Sequence, residues 1–136
     1  MASLLALYWH RPQAATADNV LAACPDTPNC VSSDATRTSQ RVPTVAFTDA
    51  PDVAQRRARE AVLAEPRSRV VTERAGYVRA ECRSLVFRFV DDVDIVVDST
   101  ARVFRFRSAS RVGRGDMGVN RRRIERISER LRTATD

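Results

Sequence analysis

Residues 77–107 read YVRAECRSLVFRFVDDVDIVVDSTARVFRFR, and apolar and polar side chains alternate along most of this stretch. Such alternation is typical of β-strands with one buried face, because successive side chains of a strand point to opposite sides of the sheet. We therefore predict strands over 77–83, 85–90, 92–98 and 104–107, and a shorter β-branched strand over 69–73. One sheet face is then apolar, whereas the other carries arginines and aspartates that can pair across strands.

One helix is predicted before the strands and one after them. The first begins near Pro51, with Thr48 or Asp49 as its cap, and ends near residue 64. The second runs from near Asp116 to about Arg132. The apolar stripes that would face the sheet consist of Val53, Ala58, Ala61 and Val62 in the first helix and of Ile124, Ile127 and Leu131 in the second. The solvent face of the first helix is predicted to carry Arg56, Arg57 and Arg59.

This order of elements predicts an α+β fold. We expect a two-layer sandwich in which one antiparallel sheet of about four to five strands carries two helices on one face. A chain of 136 residues fits one domain. We place that domain at 24–132, between an N-terminal tail, 1–23, and a C-terminal tail, 133–136. Residues 31–47 are predicted to be an extended loop along the surface.

The charge of the chain points to anionic partners. The net charge is +6, and all 23 basic residues are arginines. A basic surface attracts phosphate groups, acidic lipid surfaces or nucleic acid, although it can also be merely solvated. Nucleic-acid binding is not expected, because the phenylalanines of the strands occupy core-alternating positions instead of forming an exposed stacking platform. These residues are Phe87, Phe89, Phe104 and Phe106.

Three cysteines and one histidine leave little room for catalysis or metal binding. Cys24 and Cys30 flank a proline-containing loop whose spacing suits a small disulfide, although two free thiols in a reducing compartment are the alternative. Cys82 alternates with polar neighbours and is predicted to be a buried core thiol. A zinc site would need all three cysteines and the tail histidine, His10, so we expect no metal and no cofactor. We identify no catalytic residue.

The N-terminus bears on location without deciding it. Residues 2–9 are apolar but too short to span a bilayer, and no positive charge precedes them. They are the remnant of a signal or anchor, or a tail that packs on the domain. The predicted disulfide favours an oxidising compartment. We expect an exported or membrane-associated protein on the periplasmic side.

The segment between the last strand and the last helix, 107–123, is the candidate site. It holds three of the four glycines of the chain, and Arg121 falls at the start of a helix, where the dipole disfavours a positive charge. Arginines, serine hydroxyls and free backbone N–H groups there could surround an anion. The predicted ligand-binding residues are Arg107, Ser108, Ser110, Arg111, Asn120 and Arg121.

The alternative is that the same residues hold the fold. Asp91, Asp92 and Asp116 could pair with Arg107, Arg111 and Arg121 in a closed network, and the glycines would then only shape a tight connection. In that interpretation the structural positions are Asp91, Asp92, Gly113, Asp116 and Gly118.

Four motifs, in order along the chain, resemble those of the family known as domain of unknown function 1499. They are CPDTPNCVSS at 24–33, FVDDV at 89–93, RSASRVG at 107–113 and DMGVNR at 116–121. The resemblance covers roughly 24–131. It implies no established activity, but family members often follow signal or membrane segments, which is consistent with an exported or membrane-facing location.

Three functions are compatible with these features. The first is a non-enzymatic module that binds an anionic small molecule or a lipid headgroup. The second is a structural or protein-interaction domain at the cell envelope, whose Asp/Arg motif is a fold-holding network. The third, a hydrolase that uses Asp91 and Asp92, meets a geometric objection, since adjacent residues of a strand point to opposite faces.

Overall fold

The alternating region folds into antiparallel hairpins. The computed structural model describes residues 20–113 and 118–133. In chain order the elements are β1 (Cys30–Ser32), β2 (Val45–Ala46), α1 (Pro51–Leu63), β3 (Ser68–Arg74), β4 (Tyr77–Arg83), β5 (Val90–Asp98), β6 (Val103–Ser110) and α2 (Val119–Thr133), with a short 3-10 turn at Thr38–Gln40.

All pairings within the sheet are antiparallel. The strand order is β1-β6-β5-β4-β3, and β2 pairs with β6 beside β1. In the centre of the sheet Val93 lies opposite Ala80 on β4 and opposite Ser108 on β6. This register places the apolar side chains of three strands on one face, where α1 and α2 pack. The predicted two-layer α+β sandwich is confirmed.

The core lies between this face and the two helices. The largest fully buried side chains of the helix layer are Ile124, Ile127 and Leu131 of α2 and Val62 of α1. The sheet contributes Val78, Ala80, Cys82, Val93, Ile95, Val97, Phe104 and Phe106. The apolar stripes predicted for 77–83, 92–98 and 104–107 therefore face the core.

The sheet has six strands among the described residues, more than the predicted four to five. The additional strands come from the segment that we expected to be a surface loop. Cys30–Ser32 and Val45–Ala46 both pair with β6, and they bury Val31 and Val45 against the core. Both strands are two or three residues long, too short for a visible alternation of polarity.

The prediction of a strand over 85–90 is wrong. Residues 84–89 form the loop of the β4–β5 hairpin, which is closed by bonds from the Ser84 N–H to the Phe89 carbonyl (2.9 Å) and from the Phe89 N–H to Ser84 Oγ (2.9 Å). Arg88 adopts a left-handed conformation, with φ of 57°. Two long antiparallel strands need a turn between them, and this need overrides the alternating pattern. Phe87 and Phe89 are consequently exposed instead of buried.

The start of α1 also differs from the prediction. Ala50 occupies the N-cap position without a side-chain cap, so neither Thr48 nor Asp49 caps the helix. Asp49 instead accepts a hydrogen bond from Arg57, which also donates to the Leu131 carbonyl of α2. Arg57 is therefore buried, and its predicted place on the solvent face is wrong. Its guanidinium ties the two helices together.

Candidate functional site

The two adjacent motif aspartates serve opposite faces of the sheet. Asp91 points to the helix layer and pairs with Arg123 of α2, Oδ2 to Nη2 2.8 Å. Asp92 points to the other face and pairs with Arg111, Oδ1 to Nη2 2.8 Å. The aspartates therefore belong to two separate groups of polar residues. Asp91, Ser108, Ser110, Asn120 and Arg123 form the group that we call the helix-side network. Asp92 belongs to the other group, which we call the open-face network.

The open-face network comprises Arg79, Glu81, Asp92, Asp94, Arg107 and Arg111. Arg111 donates from Nε and Nη2 to the two carboxylate oxygens of Asp92, both at 2.8 Å, and also from Nη2 to Glu81. The hydrogen bond to Asp92 raises the pKa of Arg111, so the guanidinium stays charged. Arg79 lies 3.3 Å from Asp92 and 3.6 Å from Asp94. The strand register places Asp94 between Arg79 and Arg107, whereas it sets Glu81 opposite Asp92, and Arg111 bridges these two carboxylates.

Asp94 and Arg107 are the most deeply buried carboxylate and one of the most deeply buried arginines of this network. Asp94 is 2% exposed and Arg107 5%, yet the nearest oxygen and nitrogen of the two side chains are 4.0 Å apart. Within the described part of the chain, Asp94 Oδ2 and Arg107 Nε have no hydrogen-bond partner. Burial raises the pKa of Asp94 and lowers that of Arg107. Each charge is held where desolvation works against it.

The N-terminal segment 20–24 lies over this face of the sheet. Leu21 is buried against Tyr77 and Val96, and the Ala23 carbonyl accepts a hydrogen bond from Arg107 Nη2 at 3.3 Å. The disulfide between Cys24 and Cys30 then ties the segment to β1, with the Cα atoms 5.7 Å apart. The predicted disulfide is confirmed. Residues 20–23, which we assigned to the tail, contact the domain.

The helix-side network brings together three of the six predicted ligand residues. Ser108 donates to Asn120 Oδ1 (2.6 Å), and Asn120 Nδ2 donates to Ser110 Oγ (2.9 Å). Arg123 donates to the same Asn120 oxygen at 2.8 Å while it pairs with Asp91. Asn120 is fully buried, and a second bond from its Nδ2 reaches the Asn29 carbonyl at 3.1 Å. These bonds fasten the start of α2 to β6 and to the disulfide loop.

The other predicted ligand residues lie elsewhere. Arg107 and Arg111 are on the open face, because alternation along β6 directs them away from Ser108 and Ser110. Arg121 donates to the carbonyls of Ser39 (2.7 Å) and Arg41 (3.1 Å). The six side chains therefore do not converge on one pocket, and their role as ligand-binding residues stays a prediction.

The predicted structural positions are placed as follows. Gly113 has φ of 91° and its carbonyl accepts a hydrogen bond from Asn29 Nδ2 at 2.7 Å. Gly118, with φ of 79°, directly precedes α2, and a side chain there would meet the guanidinium of Arg122. Asp116, predicted to cap α2, lies outside the described residues. The observed pairs are Asp92 with Arg111 and Asp91 with Arg123, so the sequence identified the network but assigned its partners only in part.

Glu65 is a buried charge that the sequence did not reveal. It follows α1, its side chain is 1% exposed, and it accepts hydrogen bonds from Arg126 (2.6 Å) and Arg130 of α2. Burial alone would raise the pKa of Glu65, but the hydrogen bonds and charges of the two arginines outweigh burial and hold it below its usual value. Arg126 and Arg130 are four residues apart and therefore lie on the same face of α2, which was the feature of the sequence that could have indicated a shared acidic partner.

One end of the sheet combines exposed apolar and basic side chains. We call the exposed apolar residues of the β4–β5 loop, Leu85, Val86, Phe87 and Phe89, the apolar tip; they are 70%, 76%, 72% and 49% exposed. We call the four arginines around this loop, Arg67, Arg69, Arg83 and Arg88, the arginine collar. The rings of Phe87 and Phe89 stack on each other with centroids 5.4 Å apart, so they pack together instead of on the domain.

Neither a metal centre nor a membrane span is found in the part of the chain that the structure describes. Among residues 20–113 and 118–133, no three His, Cys, Asp or Glu side chains are grouped as a metal would require. No described helix has the length and apolarity to cross a bilayer. The free thiol of Cys82 is buried, which raises its pKa to about 11 and keeps it protonated.

These features define a class of small α+β sandwich in which an Asp/Arg motif is divided between the two faces of one antiparallel sheet. The model of the family described as protein of unknown function (DUF1499) matches residues 20–131. The chain belongs to that family. No curated protein matches the chain.

Proposed function

We propose that this protein is a non-enzymatic module that binds anionic headgroups through its arginine collar, and that the family motif holds the fold. The observation that carries the proposal is the distribution of charge at this end of the sheet. The carboxylates that border the loop on the sheet are all paired. Asp91 and Asp92 pair with arginines of the two networks, and Glu81 pairs with Arg111 and with the collar arginines Arg69 and Arg83. Arg67, Arg69 and Arg88 are exposed and Arg83 is partly exposed, and among the described residues Arg88 forms no ion pair.

The closed networks argue against the hydrolase alternative. A carboxylate pair that shares a substrate must face one cavity, whereas Asp91 and Asp92 face opposite layers and each forms an ion pair with a different arginine. A carboxylate held in this way is not oriented to attack a substrate. The same geometry supports the hypothesis that the Asp/Arg motif is a network that holds the fold.

The proposed ligand chemistry is a phosphate-bearing group, which a lipid headgroup or a soluble phosphate ester could supply. Each arginine near an anionic membrane contributes about 1 kcal/mol to binding. Removal of Arg69 and Arg88 together should weaken binding by about 2 kcal/mol, or roughly thirtyfold. An exported or membrane-facing location would give the collar access to such a surface, and it remains part of the proposal.

Vesicle co-sedimentation tests this function. One arm uses phosphatidylcholine vesicles, and a second uses vesicles in which about a third of the lipid is phosphatidylglycerol. A third arm titrates glycerol phosphate by calorimetry, to detect a soluble ligand. The matched control for Arg69→Gln/Arg88→Gln is Arg56→Gln/Arg132→Gln, which removes the same charge from the opposite end of the domain.

Binding to the anionic vesicles that falls with salt, and that only the collar variant loses, is the expected result. Saturable binding of glycerol phosphate without vesicle binding would assign the site to a soluble anion. Equal losses of affinity in both double variants would show that binding depends only on the net charge of the protein, and this would overturn the proposed site.

A further inference from the structure

The apolar tip is the largest group of exposed apolar side chains among the described residues. Its four members lie within five consecutive positions, 85–89, whereas the other strongly exposed apolar residues, such as Leu63 and Val71, stand singly. Single exposed apolar residues are ordinary on soluble proteins, but a contiguous group marks an interaction surface.

The tip has a defined shape. The two hydrogen bonds between Ser84 and Phe89 close the loop at its base, and the left-handed backbone of Arg88 turns the chain between the stacked rings. The loop therefore presents Leu85, Val86 and Phe87 outward from the end of the β4–β5 hairpin. It forms the turn of the β4–β5 hairpin at one end of the sheet.

We propose that the apolar tip inserts into the acyl region of an anionic lipid bilayer. This inference rests on the proposed function and adds to it the partner and the mode of contact. Charge complementarity identifies an anionic bilayer as the partner of the tip. The collar arginines surround the apolar residues, and no carboxylate lies between residues 83 and 90. Arginines at the level of the phosphates and aromatic side chains below them are the arrangement that an interface requires.

A second copy of the chain fits this surface less well. Two tips in contact would bring eight collar arginines together. Glu81, the carboxylate that pairs with Arg69 and Arg83 of each collar, is already shared with Arg111 and leaves a net positive charge on each tip. Like charges brought together in this way oppose association. Self-association through the tip is therefore one of the outcomes that the experiment must separate from insertion.

A tryptophan in the tip reports insertion directly. Trp9 is the only tryptophan of the chain, so in a Trp9→Phe background Phe87→Trp supplies the single tryptophan, which is excited selectively at the red edge of the absorption band. With the anionic vesicles described above, we expect its emission to shift to shorter wavelength. Lipids brominated on the acyl chain should quench it. The Trp9→Phe protein must bind the vesicles as the unaltered chain does.

Affinity provides the second readout. Phe87→Ser should weaken binding to anionic vesicles by at least tenfold, roughly the contribution of one buried aromatic side chain. The matched control is Val71→Ser, which alters an exposed apolar residue of β3 away from the tip and should leave the affinity unchanged. Sedimentation velocity without lipid measures self-association of the same proteins.

The outcomes separate this inference from the proposed function. Charge-dependent vesicle binding with no emission shift, no quenching and no loss in Phe87→Ser overturns insertion and leaves headgroup binding intact. The absence of binding both to the vesicles and to glycerol phosphate overturns both. Binding of glycerol phosphate without vesicle binding overturns insertion alone and assigns the collar to a soluble anion. A dimer in solution that Phe87→Ser dissociates would assign the tip to a second copy and overturn insertion.

Discussion

Asp91→Asn should destabilise the domain far more than Asp26→Asn, although both aspartates form ion pairs of the same length. Asp91 lies 2.8 Å from Arg123, and Asp26 lies 2.8 Å from Arg37. The first pair has side chains 11% and 9% exposed, whereas the second has 75% and 58%. The two substitutions remove one charge each and keep the side-chain shape, so burial is the main difference between them.

The magnitude follows from the surroundings of the two pairs. Unit charges about 4 Å apart attract by about 1 kcal/mol in water and about 4 kcal/mol at the effective dielectric of a protein. Loss of one partner of a buried pair leaves the other charge poorly compensated. Among the described carboxylates, Arg123 would keep only Glu65, 4.0 Å away, so we expect Asp91→Asn to lower the free energy of unfolding by about 3 kcal/mol. For Asp26→Asn we expect less than about 1 kcal/mol.

Urea denaturation followed by circular dichroism measures both values, provided that the slope of the transition is unchanged. Arg123→Met and the double variant complete a cycle that isolates the pair. If Asp91→Asn were no more destabilising than Asp26→Asn, the helix-side network would not hold the fold. A functional role for Asp91 would then be the better explanation.

Three further predictions concern single groups. Because the folded-state pKa of Glu65 lies below the ordinary value of 4.5, its ion pairs stabilise the protein above that pH, and this stability is lost as the pH falls through the lowered value. Glu65→Gln should therefore lose roughly 2 kcal/mol at neutral pH and show a flatter acid unfolding curve. The Cys24→Ser/Cys30→Ser variant should unfold with a free energy about 2 kcal/mol lower, as expected for a seven-residue loop, and an unchanged value would contradict a disulfide in the native protein. Cys82, with a pKa of about 11, should not react with a thiol reagent until the protein is unfolded in urea, and rapid labelling of the native protein would show that it is accessible.

The sheet and helix layers of the fold follow from the periodicity of apolar residues in the sequence. Alternation predicted β4 with the bounds observed, and the period of the apolar residues placed Ile124, Ile127 and Leu131 in the core. The same alternation failed over 85–90, since it does not say where a hairpin turns. The short strands β1 and β2 could not be predicted because their pairing depends on β6, which is distant in sequence.

The candidate site was predictable in its composition and not in its geometry. Adjacent aspartates on a strand must point to opposite faces, so the division between two networks follows from the sequence. The partner of each aspartate does not, because Arg123 reaches Asp91 only through the packing of α2 on the sheet. The apolar tip was not predicted because Phe87 and Phe89 alternate with their neighbours along the sequence just as the buried Phe104 and Phe106 do.

The central claim is that folding and binding belong to different residues, and a comparison of Asp91→Asn with Phe87→Ser tests it most directly. Free energy of unfolding and affinity for anionic vesicles are measured on both variants, at a temperature where each is folded. We expect Asp91→Asn to lose about 3 kcal/mol of stability and keep its affinity, and Phe87→Ser to keep its stability and lose at least tenfold in affinity. The reverse pattern, in which Asp91→Asn loses vesicle binding at unchanged stability, would contradict the account.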